Sequence, residues 1–140
     1  MPRSAEPPGA GAEEQGPGGL RVTARREGPV RVVSVQGELD RDTADTLRAA
    51  LAGPGEEDER RIVVDLAGLR FCDSTGLNLL LRARQDTEAD GVRLELAGAR
   101  GVVARLFEIT GADTVLRIHP DLDAALGTAG PASESVADPT

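Results

Sequence analysis

The sequence predicts an α/β fold with a mostly parallel, mixed sheet of about five strands and helices mainly on one face. Strand-like and helix-like segments alternate along residues 20–126, which implies parallel pairing through right-handed crossovers. The first two strands follow each other across a short turn, so they form an antiparallel hairpin and make the sheet mixed. Most strands alternate apolar and polar residues, which indicates that one face of the sheet stays partly wet.

The elements follow in the order β-β-α-β-α-β-α-β-α. Strands are predicted at residues 20–24, 30–32, 62–66, 92–96 and 114–118, and helices at residues 42–51, 74–89, 101–110 and 122–126. Gly28-Pro29 is typical of a hairpin turn, and Asp40 or Asp42 is placed to cap the first helix. The apolar run Ile62-Val-Val64 is typical of a central, buried strand, and Gly111 closes the third helix.

The two ends of the chain differ from its middle. Residues 1–19 are rich in Pro and Gly and contain no Val, Ile, Leu or Phe, so we expect a disordered arm. Residues 127–140 have the same character and are expected to form a flexible tail. Residues 20–126 are enough for one domain with one core. Half of the net charge of −8 falls on the two ends, so the domain itself is only mildly acidic.

Composition excludes several classes of function. The acidic balance, without an arginine cluster, argues against a direct nucleic-acid partner. No apolar run approaches the roughly 20 residues that span a bilayer, and the first residues do not resemble a signal peptide, so we expect a cytoplasmic protein without a membrane partner. The presence of only one cysteine and one histidine argues against a metal site. The sequence also lacks a phosphate-binding glycine loop, so it predicts no nucleotide cofactor.

The most unusual segment is Leu69-Arg-Phe-Cys-Asp-Ser-Thr-Gly-Leu77, which joins the buried third strand to the second helix. Ser74 lies at or beside the N-cap, where it either caps the helix or offers a hydroxyl for phosphorylation. A phosphate there would be favoured by the helix dipole, and Asp73 would add repulsion. Gly76 indicates either a close approach to the backbone or a tolerated surface glycine.

The second helix has two faces. Leu77, Leu80 and Leu81 form the stripe that is expected to face the sheet. Leu79 lies about 160° from the centre of this stripe at 100° per residue, beside Thr75, Asn78 and Arg82. It is therefore either a partner contact or an ordinary exposed leucine.

Three motifs give the chain a family resemblance. They are Gly37-Glu-Leu-Asp40 followed by Thr43-Ala44, then Val64-Asp-Leu66 leading into Phe71-Cys-Asp-Ser-Thr-Gly-Leu77, and Arg105-Leu-Phe-Glu-Ile-Thr-Gly111. On these motifs, residues 20–126 resemble the bacterial anti-sigma factor antagonists, which are single STAS-domain proteins. The resemblance implies a STAS-like fold and a regulatory protein that is not an enzyme.

The resemblance also implies a switching mechanism. Ser74 corresponds to the serine that is phosphorylated by a partner acting as both serine kinase and anti-sigma factor. The unphosphorylated form would bind this partner and release a sigma factor, and a separate serine phosphatase would restore that form. The partner-binding positions are then Asp40, Asp73, Thr75 and Gly76, together with Asn78, Leu79 and Arg82 on the outer face of the helix. Asn78 and Arg82 depart from the small residues that relatives often carry.

Two other interpretations compete with this one, and the inventory of residues argues against the first. A hydrolase using Ser74 would need His119, which lies in a His-Pro pair at the end of the last strand, and Cys72 is expected to be a small buried residue rather than a nucleophile. The second interpretation is a STAS scaffold or sensor subunit of a stress-signalling or lipid-transport assembly. It would work without phosphorylation, and Ser74 would be a cap.

Overall fold

A computed structural model describes residues 12–15, 19–52 and 58–127. The strands are β1 Ala12–Gln15, β2 Leu20–Glu27, β3 Val30–Leu39, β4 Arg61–Cys72, β5 Arg93–Ala97 and β6 Ile118–His119. The α-helices are α1 Ala44–Ala52, α2 Ser74–Ala89, α3 Gly101–Thr110 and α4 Leu122–Gly127. The strands lie in sequential order, antiparallel from β1 to β3 and parallel from β3 to β6. The predicted α/β fold with a mixed, mostly parallel sheet is confirmed.

The helices lie mainly on one face of the sheet, as predicted. Leu47 of α1, Leu80 of α2 and Phe107 of α3 belong to one core with Val33 and Val64 of the central strands. A smaller core lies on the other face under α4 and consists of Val30, Val32, Val63, Ala97 and Ala125. Neighbouring residues of a strand point to opposite faces, so the alternation in β3 and β4 supplies both cores.

The sheet has one strand more than predicted. Ala12–Gln15 pairs antiparallel with β2, with Ala12 opposite Ala24 and Gln15 opposite Arg21, so the predicted disorder is wrong for these four residues. Disorder is predicted there because the segment lacks large apolar side chains. An edge strand, however, is held by its backbone N–H and C=O groups and does not need such side chains. Residues 1–11 and 16–18 of the predicted arm and residues 128–140 of the predicted tail lie outside the described residues, whereas Gly127 is the last residue of α4 and not part of a tail.

The last strand is shorter than predicted. In place of a strand over 114–118, a 3-10 turn spans Ala112–Thr114 and β6 contains only Ile118–His119. Gly111 ends α3 in the left-handed conformation, and the Leu116 N–H then donates to the Ala112 carbonyl at 2.8 Å. The apolar alternation in this segment therefore belongs to a turn that buries Leu116.

Strands β3 and β4 are longer than predicted, and this extension positions the candidate site. Their register shifts between Ser34 and Gln36 and again between Gly37 and Glu38. After these shifts Leu39 lies opposite Cys72, so the two strands end side by side. The loop after β3 and the turn into α2 consequently lie at the same edge of the sheet.

Candidate functional site

The loop after β3 contacts the turn after β4 directly. The Asp73 N–H donates to the Leu39 carbonyl at 3.2 Å, one residue before Asp40. Side chains that follow adjacent parallel strands meet at the carboxyl edge of a sheet, which is where α/β proteins commonly bind ligands and partners. The structure thus brings together Asp40 and the Ser74 turn, which the resemblance assigns to partner binding and phosphorylation.

Asp73, and not Ser74, caps helix α2. Asp73 has an extended backbone, and its Oδ1 accepts a hydrogen bond from the Gly76 N–H at 3.0 Å. Its carbonyl accepts from the Leu77 N–H at 2.9 Å, and Ser74 is the first residue of the helix. The interpretation that Ser74 is the capping side chain is therefore wrong, because the neighbouring carboxylate already fills that role.

The Ser74 hydroxyl is available for chemistry. The side chain is exposed, and the hydroxyl forms no hydrogen bond with any residue that the structure describes. It lies at the start of a 16-residue helix, where the helix dipole is positive and the first N–H groups have no partner within the helix. This position favours an added anion, such as a phosphoryl group on the serine oxygen.

Asp40 shapes the loop beside this hydroxyl. Its Oδ1 accepts hydrogen bonds from the N–H groups of Asp42 and Thr43 at 3.0 and 3.1 Å. The buried Thr43 hydroxyl oxygen accepts from the Asp40 N–H at 2.9 Å and donates to the Glu38 carbonyl at 2.9 Å. The predicted capping role of Asp40 is thus exerted on the turn that precedes Ala44, the first residue of α1.

A shallow depression between the loop and the turn contains an aromatic residue, Phe71, for which the sequence predicts no role. It is lined by Asp40, Arg41, Asp42, Phe71, Asp73 and Thr75. Phe71 is 43% exposed, which is unusual for a large apolar side chain at the end of a central strand. Strand alternation could have indicated this, because its neighbour Cys72 points into the core. Phe71 therefore supplies an apolar contact within a polar surface.

Leu79 is buried, so the prediction that it lies exposed on the outer face of α2 is wrong. It is only 6% exposed because α1 packs beside α2, which widens the buried arc of the helix beyond the sheet-facing stripe. A groove of about 330 Å³ remains between the helices, lined by Arg48, Leu51, Ala52, Thr75, Asn78, Leu79, Arg82, Ala83, Asp86 and Thr87. Asn78 and Arg82 remain exposed along this groove.

Gly76 has a packing role. A Cβ atom at this position would lie 2.6 Å from Leu39 Cγ and 3.0 Å from Cys72 Sγ. The glycine therefore lets the first turn of α2 rest on the ends of β3 and β4. The predicted close approach to the backbone is therefore confirmed, with Leu39 and Cys72 as the approaching residues, and the alternative of a surface glycine is wrong. Because Gly76 is buried, it supports the predicted partner-binding surface from below.

The structure does not support nucleophilic catalysis in this part of the chain. Burial, together with the charge of Asp73, raises the pKa of the Cys72 thiol to about 12, so the thiol stays protonated. His119 Nε2 lies 2.9 Å from Glu95 Oε1, and Glu95 belongs to the sheet face that α4 covers. The histidine is thus engaged away from Ser74, and the Ser-His arrangement of a hydrolase is not formed.

The described residues contain neither a cluster suited to a metal ion nor a helix suited to a membrane. Over residues 12–15, 19–52 and 58–127, no three His, Cys, Asp or Glu side chains are grouped so that they could hold a metal ion. None of the helices in these same ranges combines the length and the apolar character needed to cross a bilayer.

The fold and the serine-bearing turn define a STAS domain. Residues 22–118 match the family model described as "Mlab, STAS domain". A Mycobacterium tuberculosis protein described as an anti-anti-sigma factor is 32% identical over 122 residues, covering 81% of this chain and 79% of the relative. The anti-sigma-B factor antagonist of Staphylococcus aureus is 32% identical over 87 residues, covering 62% of this chain and 81% of the relative.

A solved structure agrees with these sequence relatives. The crystal structure of an anti-sigma factor antagonist from Mycobacterium paratuberculosis superposes with a TM-score of 0.71 at 28% identity. The match covers 82% of this chain and 97% of that one. The chain belongs to the STAS-domain family, among its anti-sigma factor antagonists.

Proposed function

We propose that the unphosphorylated protein binds an anti-sigma factor that is also a serine kinase, releases a sigma factor, and is inactivated by phosphorylation of Ser74. The observation that carries the proposal is the exposed Ser74 hydroxyl, which is left unengaged because Asp73 caps α2. Family membership supports an anti-sigma factor as the partner. We expect the protein to act in the cytoplasm as a regulator without catalytic activity of its own.

The contact surface would have three adjoining parts. These are the loop at Asp40, the turn at Ser74 and Thr75, and the exposed side of α2 at Asn78 and Arg82. Phe71 would add an apolar anchor in the depression, since aromatic side chains often dominate interface energies. Gly76 and Leu79 would support this surface from below. The three carboxylates around the depression favour a partner surface that carries basic groups.

The proposed reaction places only the acceptor on this chain. The Ser74 oxygen attacks the γ-phosphorus of ATP held by the kinase, a new O–P bond forms, and the bond to ADP breaks. The hydroxyl proton passes to a base of the kinase. Asp73 Oδ1 is already used by the Gly76 N–H, so this chain needs to supply only a positioned hydroxyl. A serine phosphatase would hydrolyse the phosphoserine and restore the binding form.

Charge would then end the complex without unfolding the protein. A phosphate adds about −1.5 to −2 charges at Ser74. In the free protein, the start of α2 stabilises this charge by about 0.3–1 kcal/mol. In the complex, the same charge would be partly desolvated beside Asp73 and Asp40, and like charges at an interface cost several kcal/mol. Since about 1.4 kcal/mol is a tenfold change in affinity, repulsion outweighs the stabilisation by the helix.

Phosphate transfer is the test of this function. The full chain is incubated with ATP and the kinase recovered by pull-down from the native organism, and the product is mapped by mass spectrometry. We expect labelling of the parent and of Thr75→Ala, the matched control, but not of Ser74→Ala. Labelling of Ser74→Ala at the parental rate would show that the acceptor is wrong.

The same experiment distinguishes the scaffold interpretation. That alternative assigns Ser74 the role of a helix cap, which Asp73 holds in the structure. It would be favoured if a kinase that is active on another substrate bound the parent and left it unlabelled. In addition, this kinase would have to bind the parent and Ser74→Asp with equal affinity.

A further inference from the structure

Exposed apolar side chains are concentrated on helix α3. Val102 is 61% exposed and Ile109 is 74% exposed, and Leu106 between them is half-buried. At 100° per residue these three side chains lie within about 60° of one another around the helix. We call Val102, Leu106 and Ile109 the α3 stripe. Apolar side chains that share one exposed face in this way are typical of a contact surface.

The third sequence motif, residues 105–111 of α3 and its end, contains residues that neither the fold nor the Ser74 site explains. Phe107 is fully buried in the main core, and Gly111 ends the helix in the left-handed conformation. These residues are explained by the fold. Arg105, Glu108 and Ile109 are exposed, and none of them lines the depression or the groove near Ser74. Their side chains face solvent on a part of the molecule for which no role has been assigned.

Two opposite charges flank the α3 stripe on the same side. At 100° per residue, Arg105 and then Glu108 follow the stripe around the helix on the side away from the buried Val103. Neither side chain forms an ion pair with another residue in the described ranges. An arginine and a glutamate three positions apart on one flank are thus both available for an external contact.

We propose that the α3 stripe binds a second copy of this chain in an antiparallel, twofold-symmetric contact. In such a contact the same patch meets itself. The stripe is suited to this, because antiparallel packing places Val102 near Ile109 of the second copy, with Leu106 at the centre. Equivalent flanks of antiparallel helices face each other, so Arg105 lies near Glu108 of the second copy, and Glu108 near its Arg105. Both the apolar pattern and the charges are therefore self-complementary.

The small size of the α3 stripe indicates how tightly the two copies should bind. Three apolar side chains on each copy and two exposed ion pairs across the whole contact correspond to the lower end of interface sizes, below about 1,200 Å². We therefore expect a weak, reversible dimer that forms at high protein concentrations. This contact needs neither the kinase nor phosphorylation, so it can be tested apart from the proposed function.

Sedimentation velocity of the full chain over a range of concentrations tests the dimer. We expect the sedimentation coefficient of the parent to rise with concentration, and Ile109→Ser to abolish the rise. Phe71→Ser is the matched control, because it removes an exposed apolar side chain elsewhere and should leave self-association unchanged. A parent that stays monomeric at all concentrations would overturn the proposal and leave the stripe to a different protein.

Charge reversal tests the orientation of the two copies. Arg105→Glu alone and Glu108→Arg alone should each weaken the dimer by about tenfold or more, because like charges then face each other. The double variant has the same composition and net charge as the parent, and we expect it to regain the parental dissociation constant. Failure of the double variant to recover association would overturn the antiparallel arrangement, provided that circular dichroism shows it folded.

Discussion

The polar groups at the two ends of strand β4 differ in whether they have hydrogen-bond partners. At its amino end, Arg61 is buried, and its Nη2 donates to Glu95 Oε1 at 2.6 Å and to the Ala125 carbonyl at 3.1 Å. The same Glu95 oxygen lies 2.9 Å from His119 Nε2. At the carboxyl end, the Ser74 hydroxyl is exposed and has no partner in the described part of the chain. Fully partnered charges at one end indicate a structural role, and an unengaged hydroxyl at the other indicates a contact.

A second, partly buried pair strengthens this contrast. Arg31 Nε and Nη2 donate to the two carboxylate oxygens of Glu59 at 3.1 and 2.9 Å. Arg31 Nη1 donates to the Ala50 carbonyl in the last turn of α1 at 2.9 Å. Arginine thus ties both α1 and α4 to the amino end of the parallel sheet, since Ala125 belongs to α4. Two-pronged contacts of this kind fix geometry as well as charge.

Removal of Glu95 should have the largest effect on stability. Glu95→Ala leaves Arg61 buried without its carboxylate, and we expect a loss of about 3–5 kcal/mol in the free energy of unfolding. Glu88→Ala is the control, because Glu88 forms an exposed pair with Arg84 at 3.4 Å and should cost less than about 1 kcal/mol. Urea denaturation measures both variants. Equal losses would contradict the assignment of a structural role to the amino end.

Leu79→Ala should also destabilise the fold, by about 2–5 kcal/mol, because it opens a cavity between α1 and α2. Asn78→Ala changes an exposed neighbour on the same helix, and its effect on stability should stay within about 0.5 kcal/mol. For kinase affinity the order should reverse, with Asn78→Ala giving the greater loss among folded molecules. Thermal unfolding combined with calorimetric titration checks both. A Leu79→Ala variant as stable as the parent would place this side chain outside the core.

Acid should destabilise the amino end of β4 through the protonation of Glu95. Burial alone would raise the pKa of Glu95, but hydrogen bonds from Arg61 and His119 and the charges of Arg61 and Arg93 outweigh it, so this pKa lies below the ordinary 4.5. The unfolded chain therefore takes up the proton first as the pH falls. The stabilisation is complete above pH 4.5 and is lost as the pH falls through the folded-state pKa.

The free energy of unfolding as a function of pH measures this loss. The parent should lose more stability than Glu95→Gln below pH 4.5, by less than the full cost of removing the side chain. Identical slopes for the two proteins would show that Glu95 is not the group responsible.

Much of the fold could be predicted because its signals are local. Helices α2 and α3 have the predicted bounds, since Asp73 marks the start of α2, Gly111 marks the end of α3, and apolar spacing marks the buried faces. Strand β1 gave no such signal, because it is held by backbone pairing along β2. Residues 114–118, which mostly form the turn between the 3-10 helix and β6, are predicted as a strand because a short apolar alternation fits both structures.

The position of the candidate site could be predicted from the sequence, but the roles of several of its residues could not. The segment around Ser74 was found from its unusual sequence, but Asp73 and Ser74 are equally suitable caps, and only geometry shows which one is used. Helical periodicity predicts that Leu79 is exposed because it considers only the packing of α2 on the sheet. The packing of α1 beside α2 is a tertiary contact, which periodicity does not show. The packing of Gly76 against Leu39 likewise depends on strand register, which a single sequence does not show.

The most direct measurement compares the affinity of the kinase for the parent, Ser74→Asp and Ser74→Asn by titration calorimetry. The aspartate adds charge at the start of α2, and the asparagine adds similar bulk without charge. We expect at least about tenfold weaker binding for Ser74→Asp than for Ser74→Asn, with all three melting temperatures close to the parental value. Equal affinities for the aspartate and asparagine variants would contradict the claim that charge at this hydroxyl controls the partner.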